Sequence, residues 1–271
     1  MTSSLFHSWL LNNMEETIKS IFNIDGTALQ NKKIKSIFYD HESFNAEKKR
    51  LFDEAIESIK LIALFNDETI HIQSYKDDMY VYEEIYVIAV ELKGDKQTDR
   101  IVKLIHLLIP NPVMLVLYYD NKIHLSGSIS RINKNDEEKA VLEEIYQSLW
   151  LPVDSNEAVY KNATQSFNTK KYSYHTLKDF YEDYVKTVLL SNFIAILGDY
   201  KCNATKCDII SLAQIVDSFE NKNTIIKSLR KEQEQTTNFG DRIALQNSVL
   251  RVMEEVKHIK NQAVSLVKKY E

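Results

Sequence analysis

The amino-acid sequence predicts an α/β protein with a central mixed sheet flanked by helices and a C-terminal antiparallel helical hairpin. Three observations carry that prediction. Residues 82–91 and 113–119 are near-continuous apolar runs, as strands covered on both faces require. Between them, Ile101, Leu104, Ile105 and Leu108 recur at helical spacing, which suits a crossover helix joining two parallel strands. Finally, Leu245, Val249, Val252, Val256, Ile259, Ala263 and Leu266 alternate steps of four and three, the periodicity of a coiled coil. With only 5 Gly and 3 Pro in 271 residues, the chain lacks the turn chemistry of a barrel or sandwich.

The chain divides into five segments. Residues 1–26 predict an amphipathic helix, with Leu5, Trp9, Met14, Ile18 and Ile21 on one side and Asn23 to Gly26 ending it. Residues 27–152 predict the α/β core. There Ser43 or Asn45 caps a helix from Ala46, whose apolar face holds Leu51, Phe52, Ala55, Ile56 and Ile59 and which Phe65-Asn66-Asp67 breaks. Ile70 and Ile72 alternate as in a strand, Asp77-Asp78 turns, and Tyr80 to Glu91 is the next strand. Val113 to Tyr119 and Lys122 to Ser130 form a hairpin about Asp120-Asn121. Asp136 to Leu149 predicts an outer helix through Val141, Leu142 and Ile145. Residues 153–175, polar and poor in large aliphatics, predict a linker. Residues 176–207 predict a helix capped by Thr176, then a loop; residues 208–271 predict the helical arm, turning at Thr237 to Gly240.

Composition excludes several classes. A net charge of -5 gives no bulk electrostatic affinity for nucleic acid, although Lys32, Lys33 and Lys35 form a local basic run beside Phe38-Tyr39. The blander reading of that run is a solvated face. Cys202 and Cys207 have neither CxxC spacing nor neighbouring histidines, so they read as free thiols rather than metal ligands. No segment approaches the roughly twenty apolar residues of a membrane span. The start MTSSLFHSWLLNN lacks a secretion signal's basic flank and cleavage site, so the cytoplasm is expected and no membrane association. No P-loop, GxGxxG, HExxH or nucleophile elbow is present.

Glu91-Leu92-Lys93 is the sharpest chemical feature. Period two puts Glu91 and Lys93 on one strand face. Nucleases of the restriction-endonuclease type use a Glu-x-Lys pair in this way. Carboxylates hold a divalent metal and the lysine orients the attacking hydroxide. The chemistry needs a further carboxylate, for which Asp77 and Glu54 are candidates, with Asp67 and Glu57 also available. The bland reading is a surface ion pair at a strand end.

Four stretches in order, NKKIKSIFY, ETIHI with IYVIAVELKG, IHLLIPNPVMLVLYYDNKIHLSGSI and LRKEQEQTTNFGDRIALQNSVLRVMEEV, resemble the bacterial and archaeal domain of unknown function 4391 family. The resemblance spans about residues 27 to 262. The family's Phe-Asn-x-Lys near the arm's turn is replaced here by Asn238-Phe239-Gly240-Asp241, so a basic role for that turn does not carry over. The resemblance implies no reaction of its own. It implies association with helicases and DNA methyltransferases in restriction and phage-defence loci.

The expected function is therefore a noncatalytic accessory or interaction subunit of such a system. Its partner, a helicase or methyltransferase complex or a second protomer, would meet Leu245, Val249, Val252, Val256 and Ile259 of the arm. The alternative is a metal-dependent nuclease using Glu91 and Lys93. No cofactor or metal site is expected on the first reading and Mg²⁺ on the second.

Overall fold

The computed structural model describes residues 14–24, 26–41, 44–133, 136–200 and 206–270. Leu5, Trp9, Ser43 and Cys202 lie outside the described residues. The first described helix, α1, covers residues 14–22. Met14, Ile18 and Phe22 bury its inner face. Strand β1 (Leu29–Lys33), helix α2 (Lys35–Tyr39), helix α3 (Ala46–Ala55) and strand β2 (Ile56–Phe65) follow. Asn45 caps α3, its side chain accepting from the Lys48 amide at 3.0 Å.

The helix expected beyond Ala46 thus ends ten residues in, and the remainder becomes a strand. Leu51, Phe52, Ala55, Ile56 and Ile59 do share a layer. Past Ala55 the chain gains more by pairing IESIKLIALF with two neighbouring strands.

A short helix α4 (Asp67–Ile70) replaces the expected strand at Ile70 and Ile72. A reciprocal capping box between Asn66 and Thr69 nucleates it, which the alternation of isoleucines does not reveal. Next come the hairpin strands β3 (Tyr75–Lys76) and β4 (Val81–Tyr82), the central strand β5 (Ile85–Leu92), helix α5 (Thr98–Leu108), β6 (Val113–Tyr119) and β7 (Lys122–Asn133).

Asp136 to Leu149, expected as a helix, is mostly strand β8 (Asp136–Gln147). It pairs antiparallel with β7 from Asn133↔Asp136 to Ser126↔Gln147. Its neighbours Ile145 and Tyr146 pack into opposite layers, which a period of two allows and a helical stripe does not.

The sheet runs β1-β2-β5-β6-β7-β8, and β9 (Leu151–Pro152) adds to β7. Among the described strands of this sheet, only β5 and β6 pair in parallel, joined through α5 as the apolar runs predict. One face of the sheet buries Ile88, Val90, Leu115 and Leu117 under α2, α3 and α5. The other buries Val87, Ala89, Met114 and Val116 under α1 and helix α7 (Leu177–Ser191). Residues 153–175, expected as a linker, hold helix α6 (Ala158–Ser166) and place Ala163, Phe167 and Tyr172 in that second core. Helices α8 (Phe193–Leu197), α9 (Ile209–Gln235) and α10 (Phe239–Tyr270) complete the chain, α9 and α10 forming the expected hairpin.

Side chains of helix α7 pack directly onto Gly127 of the sheet. A Cβ built there falls 3.0 Å from Val185 Cγ2 and 3.1 Å from Tyr184 Cε1. Gly127→Ala is expected to cost about 1–3 kcal/mol by overpacking. Urea unfolding at an unchanged m-value measures it.

Candidate functional site

The carboxyl end of β5 gathers the charged residues singled out in the sequence. Glu91 is the penultimate residue of β5 and Lys93 follows the strand's end, beside the start of β2, where the register slips between Ile56↔Leu92 and Ser58↔Glu91. That irregularity is a bulge at Glu57. Glu91 is buried at 8% exposure and accepts a hydrogen bond from Ser58 Oγ at 3.1 Å. On its other side the parallel register sets it against Tyr118. Burial, and then the negative charge of Glu91, raise the Tyr118 phenol well above its ordinary range. The residues registered against Glu91 are thus a hydroxyl and a phenol rather than a second carboxylate.

Lys93 turns to the end of α3. Its backbone N–H donates to Ala55 O at 2.9 Å and its Nζ donates to Asp53 O at 2.8 Å. A cation on the last carbonyls of a helix satisfies their hydrogen bonding and meets the negative end of the dipole. Glu57 stands 3.9 Å from the same ammonium. Lys35 performs a parallel task, donating to Ile56 O at 3.0 Å and lying 5.9 Å from the centre of the Phe52 ring. Asp53 also takes the Tyr39 hydroxyl, whose pKa is pushed up to about 12 by burial and then by that hydrogen bond.

The two other candidate carboxylates have local partners. Glu54 is exposed and lies 3.8 Å from Arg50 one helical turn earlier. Asp77 closes the β3–β4 turn, accepting from the Met79 and Tyr80 amides at 2.8 and 2.7 Å and from the Tyr75 hydroxyl at 2.6 Å. The phenol and those amides hold its carboxyl below the usual range. Among the described residues, no group of three or more His, Cys, Asp or Glu side chains is arranged to hold a metal ion. Lys32 and Lys33 are exposed on β1, the outermost strand on its side of the sheet. Charges on such an edge discourage pairing with another chain.

In the arm, the seam expected to meet a partner is closed from within. Val249, Val252 and Ile259 are buried, Leu245 and Val256 half-buried, and α9 supplies Ile226 and Leu229 against Val249, Val252 and Val256. A second apolar row, which the sequence reading missed, stays exposed. Ile243, Leu250 and Met253 are 47, 50 and 45% exposed, with Phe239 at the turn 77% exposed. Its signal was the spacing of seven and three offset about 100° from the seam.

At the opposite end of β5 and β6, a cavity of about 270 Å³ opens between the β3–β4 hairpin, the Pro110-Asn111-Pro112 loop and β7. Lys76, Asn111, Ser128, Ser130 and Arg131 are among its walls. None of these was legible as a site, because they come from three separate stretches of chain. No helix among the described residues is long and apolar enough to cross a membrane.

Comparison with family models matches residues 23–256 to the domain of unknown function DUF4391. No curated protein and no solved structure matches the chain. The chain belongs to the DUF4391 family.

Proposed function

We propose that this DUF4391 chain is a noncatalytic accessory subunit of a bacterial restriction or phage-defence system, acting in the cytoplasm and docking a helicase or methyltransferase through its helical arm. The observation supporting this reading is the exposed row Ile243, Leu250 and Met253 on a helix whose own seam is already filled by α9. Scattered surface apolar residues need no explanation, but a repeated row on one helix face is what a groove on a partner recognises. The link to DNA metabolism rests on the family resemblance alone.

A test reconstitutes the chain with the helicase and methyltransferase of such a system. The wild type is expected to co-elute with one of them, and Leu250→Asp with Met253→Asp to weaken that complex about tenfold or more. That is the scale of losing two buried apolar anchors. Undiminished co-elution of the double variant removes the arm from the reading.

The second reading, a Mg²⁺-dependent nuclease, keeps one supporting observation: Glu57, Glu91 and Lys93 share one strand end. Plasmid and single-stranded DNA incubated with Mg²⁺ or Mn²⁺ separate the two. Cleavage by the wild type that Glu91→Gln and Lys93→Gln both abolish would establish the nuclease in place of the accessory role.

A further inference from the structure

The cavity at the amino ends of β5 and β6 borders a buried hydrogen-bond network through Ser128. His106 on α5 is 4% exposed and points both ring nitrogens at serines of β7. Nε2 lies 3.0 Å from Ser126 Oγ, and Nδ1 lies 3.0 Å from Ser128 Oγ. Desolvation holds the imidazole neutral, so the ring carries a single N–H.

Ser126 is 0% exposed, and His106 is the sole hydrogen-bond partner of its Oγ among the described residues. A buried hydroxyl proton left without an acceptor is costly, so Ser126 donates to Nε2. The ring proton then sits on Nδ1 and donates to Ser128 Oγ. The Ser128 hydroxyl proton is then shared between the buried Tyr181 oxygen and the cavity that Ser128 lines.

The cavity's other walls are rich in donors. Lys76 and Arg131 bring two cations, Asn111 an amide and Ser130 a second hydroxyl, with Glu83 as an opposing carboxylate. Arg131 also pairs with Glu143 at 3.1 Å. That contact fixes the guanidinium, whose five donors leave others for a ligand. So many donors exceed what a carboxylate accepts, whereas a phosphate monoester offers three terminal oxygens and up to two charges.

We infer that this cavity binds a phosphate monoester no larger than a mononucleotide, held by Arg131, Lys76, Asn111 and the hydroxyl of Ser128. Its volume lies just below the usual range for ligand pockets, which sets the size limit. The phosphate belongs either to a free nucleotide or to the 5′ end of a DNA strand. The site is independent of the arm, so it stands or falls separately from the accessory reading.

Calorimetric titration of the whole chain tests it, using inorganic phosphate, 2′-deoxyadenosine 5′-monophosphate, 2′-deoxyadenosine, and one oligonucleotide with and without a 5′-phosphate. Saturable binding of inorganic phosphate and the monophosphate, and not of the nucleoside, is expected. Arg131→Gln should weaken it about tenfold or more, the scale of one charge-assisted contact. Asn111→Ala, which leaves the buried network intact, should weaken it several-fold, and Lys260→Gln on the arm should leave it unchanged. Preference for the phosphorylated strand end over the mononucleotide assigns the ligand to DNA, and the reverse assigns it to the free nucleotide. Absence of saturable phosphate binding overturns the inference. So does equal affinity in Arg131→Gln, or nucleoside binding as tight as that of the monophosphate. Nitrogen-15 spectra of His106 check the donor directly: a proton on Nδ1 is expected, and one on Nε2 overturns the arrangement.

Discussion

Tyr184→Ala is expected to destabilise the fold by about 3–5 kcal/mol, the range for deleting a fully buried aromatic ring. Tyr184 is 0% exposed in the middle of α7 and its ring centre lies 6.1 Å from that of Phe22 and 6.2 Å from that of Phe167. Its hydroxyl reaches Ser126 O at 2.9 Å and Leu115 O at 3.2 Å, on the registered pair that joins β6 to β7. The ring therefore joins α1, α6 and α7, while the hydroxyl anchors α7 to the sheet. Tyr184→Phe separates the two contributions, because it keeps the ring and loses about 1 kcal/mol of hydrogen bonding. Urea unfolding followed by circular dichroism measures both variants. A Tyr184→Ala loss no larger than that of Tyr184→Phe would mean that the ring is not part of the core.

Acid should destabilise the protein through His106. Burial lowers its pKa to about 3, against about 6.5 in an unfolded chain. Between those values the unfolded state takes up a proton that the folded state refuses. Folding stability is therefore intact above pH 6.5 and falls as the pH drops, at about 1.4 kcal/mol per unit, flattening near pH 3. At pH 4.5 the loss from this residue is about 3 kcal/mol. His124, lowered by burial in the same direction, contributes a second such proton. Gln in place of His106 removes its titration but still presents a donor and an acceptor to Ser126 and Ser128. The stability gap between wild type and His106→Gln should accordingly shrink by about 3 kcal/mol from pH 7 to pH 4.5. A gap that stays constant over that range would show that His106 is not held neutral. Comparing the two proteins at each pH cancels the carboxylates common to both.

The parts of this fold that could be read from sequence are those whose burial is decided locally. The apolar runs of β5 and β6 and the stripe of α5 each declare a two-sided or one-sided environment within a dozen residues. The seam of α10 does so over three heptads. What failed depended on distant partners. Val141, Leu142 and Ile145 satisfy a helical spacing, and only the long pairing with β7 makes them a strand. Ile56 and Ile59 continue the stripe of α3, yet β5 and β1 claim them for the sheet. The polar stretch 153–175 looked like a linker because Phe167 and Tyr172 are too widely spaced to announce a core.

The candidate chemistry follows the same division. Glu91 and Lys93 were visible as a pair because a period of two would give them a common face, although β5 itself ends at Leu92. Their partners were not: Ser58 meets Glu91 through a bulge, and Lys93 finds the end of a helix some forty residues earlier. The two kinds of apolar residue on α10 differ by a single position in the helical cycle, so the sequence showed the covered row and hid the exposed one.

The reach of the arm is set by its residue count. Helix α9 packs on the main core as far as Phe219, and beyond it Ile226 and Leu229 cluster with α10. At 1.5 Å per residue, the stretch from Phe219 to Gln235 spans about 25 Å. Helix α10 returns over the same interval and fastens at Ala263, Leu266 and Tyr270. Reach and bearing are thereby set separately. Seven residues removed from each helix draw the tip in by about 10 Å with the exposed row facing nearly as before, whereas one residue swings that row through about 100°. Anything gripping Phe239 and Met253 is held at a fixed stand-off and a fixed angle from the sheet, both written in the number of residues between the core and the turn.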